Sequence, residues 1–231
     1  MRLIILIALA AVGAAQELGL PRVGCLVDDA GSLRPVFGLA GNFLIGGPER
    51  ANVLSAACSG SLTAIQTDSG LEVNGRSWEG PQGRAVFALA GRDVVAWLPD
   101  TAELVAPGGR RVAYDLQGEV LALSATSHRH ATAVVRRGDS LWLCELRGGF
   151  LYSETELSGI RPPVFLAGGA LMYTDGADLV IDNVRLALPE PVLRFEQLGA
   201  GAIRIVLAAG HLVLWLRDGE WQLYRLPEIV P

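Results

Sequence analysis

Along most of the chain, apolar residues come in runs of about five to eight that either continue unbroken or alternate with polar ones. "DVVAWLPD" (93–100), "EVLALSAT" (119–126), "ATAVVRRG" (131–138), "SLWLCELRGG" (140–149), "ALMYTDG" (170–176) and "EWQLYRLPE" (220–228) are examples. Each is rich in Val, Leu, Trp or Tyr and is flanked by Gly, Asp, Asn or Pro, the pattern of short β-strands joined in hairpins. In "HLVLWLRDGEWQLYRL" (211–226) the Asp218-Gly219 pair supplies the positive φ angles that a two-residue hairpin needs. No stretch beyond the first residues sustains capped helical spacing. The nearest, "PERANVLSAAC" (48–58), predicts at most one short helix, and its end reads equally well as a strand.

The runs also repeat at a coarser level. "VFGLAG" (36–41), "VFALAG" (86–91) and "VFLAGG" (164–169) are close relatives, with looser echoes in "VLALSA" (120–125) and "VLAAGH" (206–211). The later echoes are spaced by roughly 34 to 44 residues, the length of a four-stranded propeller blade. Such a sheet leaves an apolar face that only a neighbouring sheet can cover, so several must stack in a ring. Cutting at the echoes predicts blades near 42–82, 83–117, 118–159, 160–190 and 191–229. Residues 22–40 remain as a strand or two that would complete the final blade from outside. In architecture the chain thus resembles the secreted bacterial β-propellers. The expected fold is all-β, a small propeller of five or six blades, with a β-sandwich or barrel as the alternative. Sharp blade signatures are missing. No Trp-Asp pair occurs, and "VNGRSW" keeps Gly75, Ser77 and Trp78 of an Asp-box but has Val73 where the aspartate belongs.

The first residues change where the protein is expected to act. Arg2, an apolar stretch from Leu3 to Val12 and the small residues Gly13-Ala14-Ala15 have the order of a secretory signal peptide, with cleavage before Gln16. The expected organisation is a leader over 1–15 and one propeller-like domain over 16–231, in a secreted or periplasmic protein. Val23-Gly24-Cys25 looks like the end of a lipid-attachment site, but Pro21 and Arg22 interrupt the apolar run such a site requires. A net charge of -5 argues against nucleic acid and against an anionic membrane surface.

All 19 basic residues are arginine. That excludes a Schiff-base lysine, a phosphate-loop lysine and a Ser-Lys dyad. Of the three cysteines, Cys25, Cys58 and Cys144, at most one pair can be bridged, and no Cys-x-x-Cys is present. The preferred reading is three small buried apolar side chains.

Two lookalike words overlap at Arg137-Gly138-Asp139-Ser140-Leu141: an integrin-type tetrapeptide and the nucleophile block of GDSL esterases. Both fall between two strand-like runs, so a hairpin turn is expected there. The esterases also need an Asp-x-x-His block, whereas Ala208 stands three residues before His211. His128 and His130 would point the same way from an extended segment but have no third ligand nearby, so an exposed loop is expected. His211 is expected at a blade edge. The aspartates of "DGADLVIDN" (175–183) fail the EF-hand pattern and read as turn residues. Trp78, Trp97, Trp142, Trp215 and Trp221 are expected to pack between sheets.

The function expected is a non-catalytic binding or scaffold module that recognises a protein or glycan surface. No catalytic, metal-binding or cofactor-binding residue stands out. The alternatives are a propeller hydrolase or lactonase with a metal on the ring axis, which clustered inward carboxylates would favour, and a structural part of an envelope assembly, which an exposed apolar patch would favour.

Overall fold

A computed structural model describes residues 20–60, 62–78, 84–91, 93–106 and 109–228. The leader expected over 1–15 lies outside them. The described residues form six small antiparallel sheets. Blade 1 is β1 (Arg22–Val27), β2 (Leu33–Leu39) and β3 (Asn42–Ile45). Blade 2 is β4 (Val53–Ser59), β5 (Leu62–Thr67), β6 (Gly70–Val73) and β7 (Arg76–Trp78). Blade 3 is β8 (Val86–Ala90), β9 (Asp93–Leu98), β10 (Glu103–Ala106) and β11 (Arg110–Ala113). Blade 4 is β12 (Glu119–Ser127), β13 (His130–Arg137), β14 (Ser140–Arg147) and β15 (Phe150–Glu156). Blade 5 is β16 (Val164–Ala167), β17 (Ala170–Asp175), β18 (Asp178–Ile181) and β19 (Val184–Ala187). Blade 6 is β20 (Val192–Gly199), β21 (Ala202–Leu207), β22 (Gly210–Arg217) and β23 (Glu220–Leu226).

Packing closes these sheets into a ring, because every neighbouring pair shares an apolar cluster. Ala57 and Leu71 of blade 2 meet Phe87 and Leu98 of blade 3. Trp97 and Leu104 meet Leu123 and Leu146 of blade 4. Ala122 and Val134 meet Val164 and Leu166 of blade 5, and Met172 and Leu179 meet Ile203 and Ile205 of blade 6. Phe43 and Val36 of blade 1 meet Leu198 and Val213. Cys25 and Leu33 meet Val53 and Ile65, which completes the circle. Because a middle strand has a blade on either side, both its faces are covered: β21 is buried at all positions from Ala202 to Leu207. Each large side chain so buried contributes about 1.5 to 3 kcal/mol of hydrophobic free energy. The fold is a six-bladed β-propeller, which sets aside the sandwich and barrel alternatives.

The first strand of each blade lies innermost. From blade 2 to blade 6 these strands run the same way along the axis. Blade 1 runs the other way. Gly24 packs on Leu198 and Gly199 packs on Val23, so the start of β1 lies against the end of β20. At the other end of β1, Val27 and Asp29 lie against Arg204 and Arg194. Towards blade 2, Val53 N donates to Gly31 O at 2.8 Å, and Cys25 is bonded to Cys58. The backbones approach so closely that a Cβ at Gly24 or Gly199 would overlap a carbonyl of the other strand.

Several sequence expectations change accordingly. The five predicted blades contain the five four-stranded sheets, but residues 22–40 form most of a blade of their own and add no outer strand to blade 6. "VFALAG" and "VFLAGG" mark innermost strands, whereas "VFGLAG" falls on β2 and its following turn and "VLAAGH" on the β21–β22 hairpin. With "VLALSA" on β12, three of the five echoes open a blade and two fall within one, so the echo does not mark blade starts alone. "PERANVLSAAC" contributes strand β4 and no helix, because Val53, Ser55 and Ala57 alternate inward. The cysteines are not all free apolar side chains: Cys25 and Cys58 form a disulfide, and Cys144 is buried and unbridged. No helix among the described residues is long and apolar enough to cross a membrane.

Candidate functional site

At the end of the ring where β4, β8, β12, β16 and β20 begin, the axis opens into a cavity of about 320 Å³. Reversal of β1 brings the end of that strand and the hairpin after it to the same mouth. Its walls carry Ser55, Arg84, Glu119, Phe165, Arg194, Phe195, Glu196 and Gln197, with aliphatic residues between them. Phe165 and Phe195, from adjacent innermost strands, lie with ring centroids 6.3 Å apart.

Charge at this mouth is arranged in pairs. Arg194 Nε donates to Glu196 Oε1 at 2.6 Å, and its Nη2 reaches Asp29 Oδ1 at 3.4 Å. Arg204, on β21, is 1 % exposed, and its Nη1 donates to Glu196 Oε2 at 2.9 Å and to Val27 O at 3.3 Å. Its Nη2 donates to His211 Nε2 at 3.1 Å, which requires a neutral imidazole. Burial lowers the His211 pKa, and the Arg204 charge lowers it further. Asp28 accepts from Arg34 Nε at 2.6 Å and from the backbone N–H groups of Ser32 and Ala30. Burial alone would raise its pKa, but these bonds more than offset that and hold it below the usual carboxylate value. Glu119 pairs with Arg136. Beside the mouth, Gln66 Oε1 accepts from Ser55 Oγ at 3.1 Å and from Ala85 N at 2.5 Å, joining blade 2 to blade 3.

A second cavity, about 720 Å³, opens at the other end of the ring among the ends of β8, β12 and β16, and extends over β13 and β14. Thr126, His130, Thr132, Glu145 and Arg147 line it, with the Gly168-Gly169 turn of blade 5 on the far side.

The motif residues fall as follows. Gly138-Asp139 is the two-residue turn between β13 and β14, with Arg137 paired to Ser140 and a positive φ of 58° at Gly138. Ser140 Oγ donates to Glu156 and Arg137 binds Glu154, so side chains of both lookalike words are engaged within blade 4. His130 is exposed at the start of β13 beside the second cavity, and His128 lies in the preceding turn. His211 is not at a blade edge: it lies on β22, paired with Val206 and Leu226 and facing Arg204. Asp175 and Asp178 both bind Arg185, at 2.8 and 3.5 Å, and Asp182 accepts from Leu171 N. Trp97 is buried in the blade 3–4 core and Trp215 stacks with Phe43 at 5.7 Å, as packing residues should. Trp142 is partly covered by Arg137. Among the described residues no three His, Cys, Asp or Glu side chains are grouped so as to hold a metal ion.

No family model matches the chain, and no curated protein matches it by sequence. Solved structures similar to it include Hsv2 of Kluyveromyces lactis, at 15% identity and a TM-score of 0.45 over 75% of this chain. The alignment spans 63% of that Hsv2 chain, less than two thirds of its length. The Cps50 (Swd1) β-propeller domain of Myceliophteria thermophila is similar at 13% identity and a TM-score of 0.45, covering 91% of this chain and 88% of that one. AztD of Citrobacter koseri is similar at 12% identity and a TM-score of 0.43, covering 91% of this chain and 71% of that one.

Proposed function

We propose that this propeller is a binding module of the secreted or periplasmic space that holds a ligand on the ring without transforming it. The observation that carries this reading is the state of the carboxylates at the axial mouth. Asp28, Asp29, Glu119 and Glu196 are each tied to an arginine, and the nearby imidazole of His211 accepts from another. Hydrolysis by a general base or by a metal-bound water needs carboxylates or imidazoles free to take a proton or an ion. Here each is paired, Asp28, Glu119 and Glu196 within their own blades and Asp29 across to blade 6, and beside the paired Glu119 and Glu196 the cavity wall carries arginine, amide and aromatic ring, the kind of lining that grips a ligand and orients it. The leader-like first residues and the Cys25–Cys58 disulfide support an oxidising compartment.

The test is turnover. The full secreted chain, incubated with zinc, manganese or calcium and a set of nitrophenyl esters and lactones, is expected to hydrolyse none of them above the buffer rate. Metal-dependent turnover that disappears in Glu119→Gln or Glu196→Gln would overturn the reading in favour of an axial hydrolase.

A further inference from the structure

The second cavity deepens that reading, on which it rests, by pointing to a ligand class. Blade 4 is longer than its neighbour: β12 spans nine residues to Ser127, whereas β16 spans four and ends in Gly168-Gly169, a turn without side chains. One end of blade 4 therefore overhangs blade 5. The register shows what is left uncovered. Ser124, Thr132, Glu145 and Ser153 are cross-strand partners and so share a face. It is the face turned to blade 5, because Ala122 and Val134, two positions along the same strands, pack on Val164 and Leu166. Next in that row come His130, Arg147 and Phe150, again directly paired. The guanidinium of Arg147 lies 3.9 Å from the centroid of the Tyr152 ring and also binds Glu145 at 2.9 Å. The aromatic pair at the end of the row is open to solvent, Phe150 at 76% and Tyr152 at 63% exposure.

We propose that this overhang is a carbohydrate-binding groove. A pyranose ring has an apolar C–H face and a hydroxyl rim, and the groove offers the matching surfaces. Aromatic rings stand at one end, and hydroxyl, carboxylate and guanidinium groups that can bond paired hydroxyls stand along the floor. Glu145 and Arg147 cancel in charge, which suits a neutral or weakly charged glycan. Stacking of Arg147 on Tyr152 holds that ring in place before a ligand arrives, so less side-chain freedom is lost on binding. Strand addition by a peptide suits this edge less well. The register of β15 against β14 shifts between Glu145 and Leu146, leaving Tyr152 as an extra residue, and a bulge of this kind interrupts an edge ladder.

Calorimetric titration of the full secreted chain with hexasaccharides of β-1,4-, β-1,3- and α-1,4-linked glucose tests the assignment. At least one is expected to bind, and Phe150→Ala and Tyr152→Ala, both at exposed positions and with unchanged thermal midpoints, should each weaken it by about 10-fold. Arg50→Ala, beside blade 2 and outside both cavities, should leave that binding unchanged. If no hexasaccharide binds, or if binding survives both aromatic substitutions, the groove assignment falls. Loss in Arg84→Ala alone would move the saccharide to the axial mouth, which overturns the groove and keeps the binding-module reading. That reading fails separately, through the hydrolysis assays.

Discussion

Blade 1 and blade 4 occupy equivalent places in the ring and are held there by different means. Blade 4 has four strands of seven to nine residues, paired in a long antiparallel ladder from Glu119 to Glu156. Its cohesion lies within the sheet. Blade 1 has three strands of four to seven residues, and its innermost strand runs against the direction of the strands on either side. What holds it crosses its two borders: the Cys25–Cys58 bond to blade 2, the contact of Gly24 with Gly199, the salt link from Asp29 to Arg194, and the hydrogen bond from Arg204 to the Val27 carbonyl. A ring of near-repeats can thus accept an irregular member where cross-border links replace the missing ladder.

The strongest way to break that contrast is to remove the disulfide. The bond closes a loop of 33 residues in sequence separation, and releasing a loop of that length costs about 3 to 4 kcal/mol. Paired Cys25→Ala and Cys58→Ala substitutions should lower stability by that amount in urea titration, whereas Cys144→Ala in blade 4 should cost about 1 kcal/mol. Equal losses would erase the distinction.

Next in size is the buried arginine. Glu196→Gln leaves the buried Arg204 without its carboxylate, at a cost of about 3 kcal/mol. Adding Arg204→Met to Glu196→Gln should restore most of the loss, because no buried charge then remains. A double variant as unstable as the single would show that the pair does more than balance its own charge.

A smaller effect sharpens the comparison by pH. The pKa of His211 in the folded chain lies below its ordinary value of 6.5, so between the two the unfolded chain binds more protons. Its contribution to stability is complete above about pH 6.5 and declines as the pH falls through that window, because protonation sets a second cation beside Arg204. The other charges near the ring are Glu196 and Asp29, which oppose the shift, and Arg194, which adds to it. Chemical denaturation of His211→Gln between pH 5 and 8 should show a flatter acid side than the parent; the same slope in both would remove His211 from this role.

The smallest expected signal is an absence of reaction. Burial raises the Cys144 pKa, so a thiol reagent at neutral pH should label nothing in the folded chain and one thiol after unfolding without reductant. Labelling in the folded state would mean that blade 4 opens more readily than its ladder implies.

The strand content was legible because turn residues punctuate the apolar runs: Asp218-Gly219 does adopt positive φ at both positions, 52° and 83°. The direction of β1 was not legible, because alternation with a period of two reads the same forwards and backwards. The Cys25–Cys58 pairing was hidden for a related reason: three cysteines permit three pairings, and choosing among them needs the reversed strand. At the axial mouth, Arg204 is the one polar residue in the otherwise apolar run "AIRIVL", and a lone arginine inside such a run is the signal that marks it. The overhang depends on the relative lengths of two blades, "EVLALSATS" against "VFLA". Phe150-Leu151-Tyr152 directly after Gly148-Gly149 gave a hint, but exposure of an outer strand is decided by what its neighbour fails to cover.

Reversal of β1 also decides where the described chain enters and leaves. Arg22 lies at the end of the ring where the other innermost strands finish, beside Gly199, while Leu226, paired with His211, lies at the end where they begin. Entry and exit are on opposite faces of the disc. A circular permutant would therefore need a linker long enough to pass over the outer wall from one face to the other. Copies fused in tandem, by contrast, would need only a linker that crosses from the outermost strand of one disc to the innermost strand of the next.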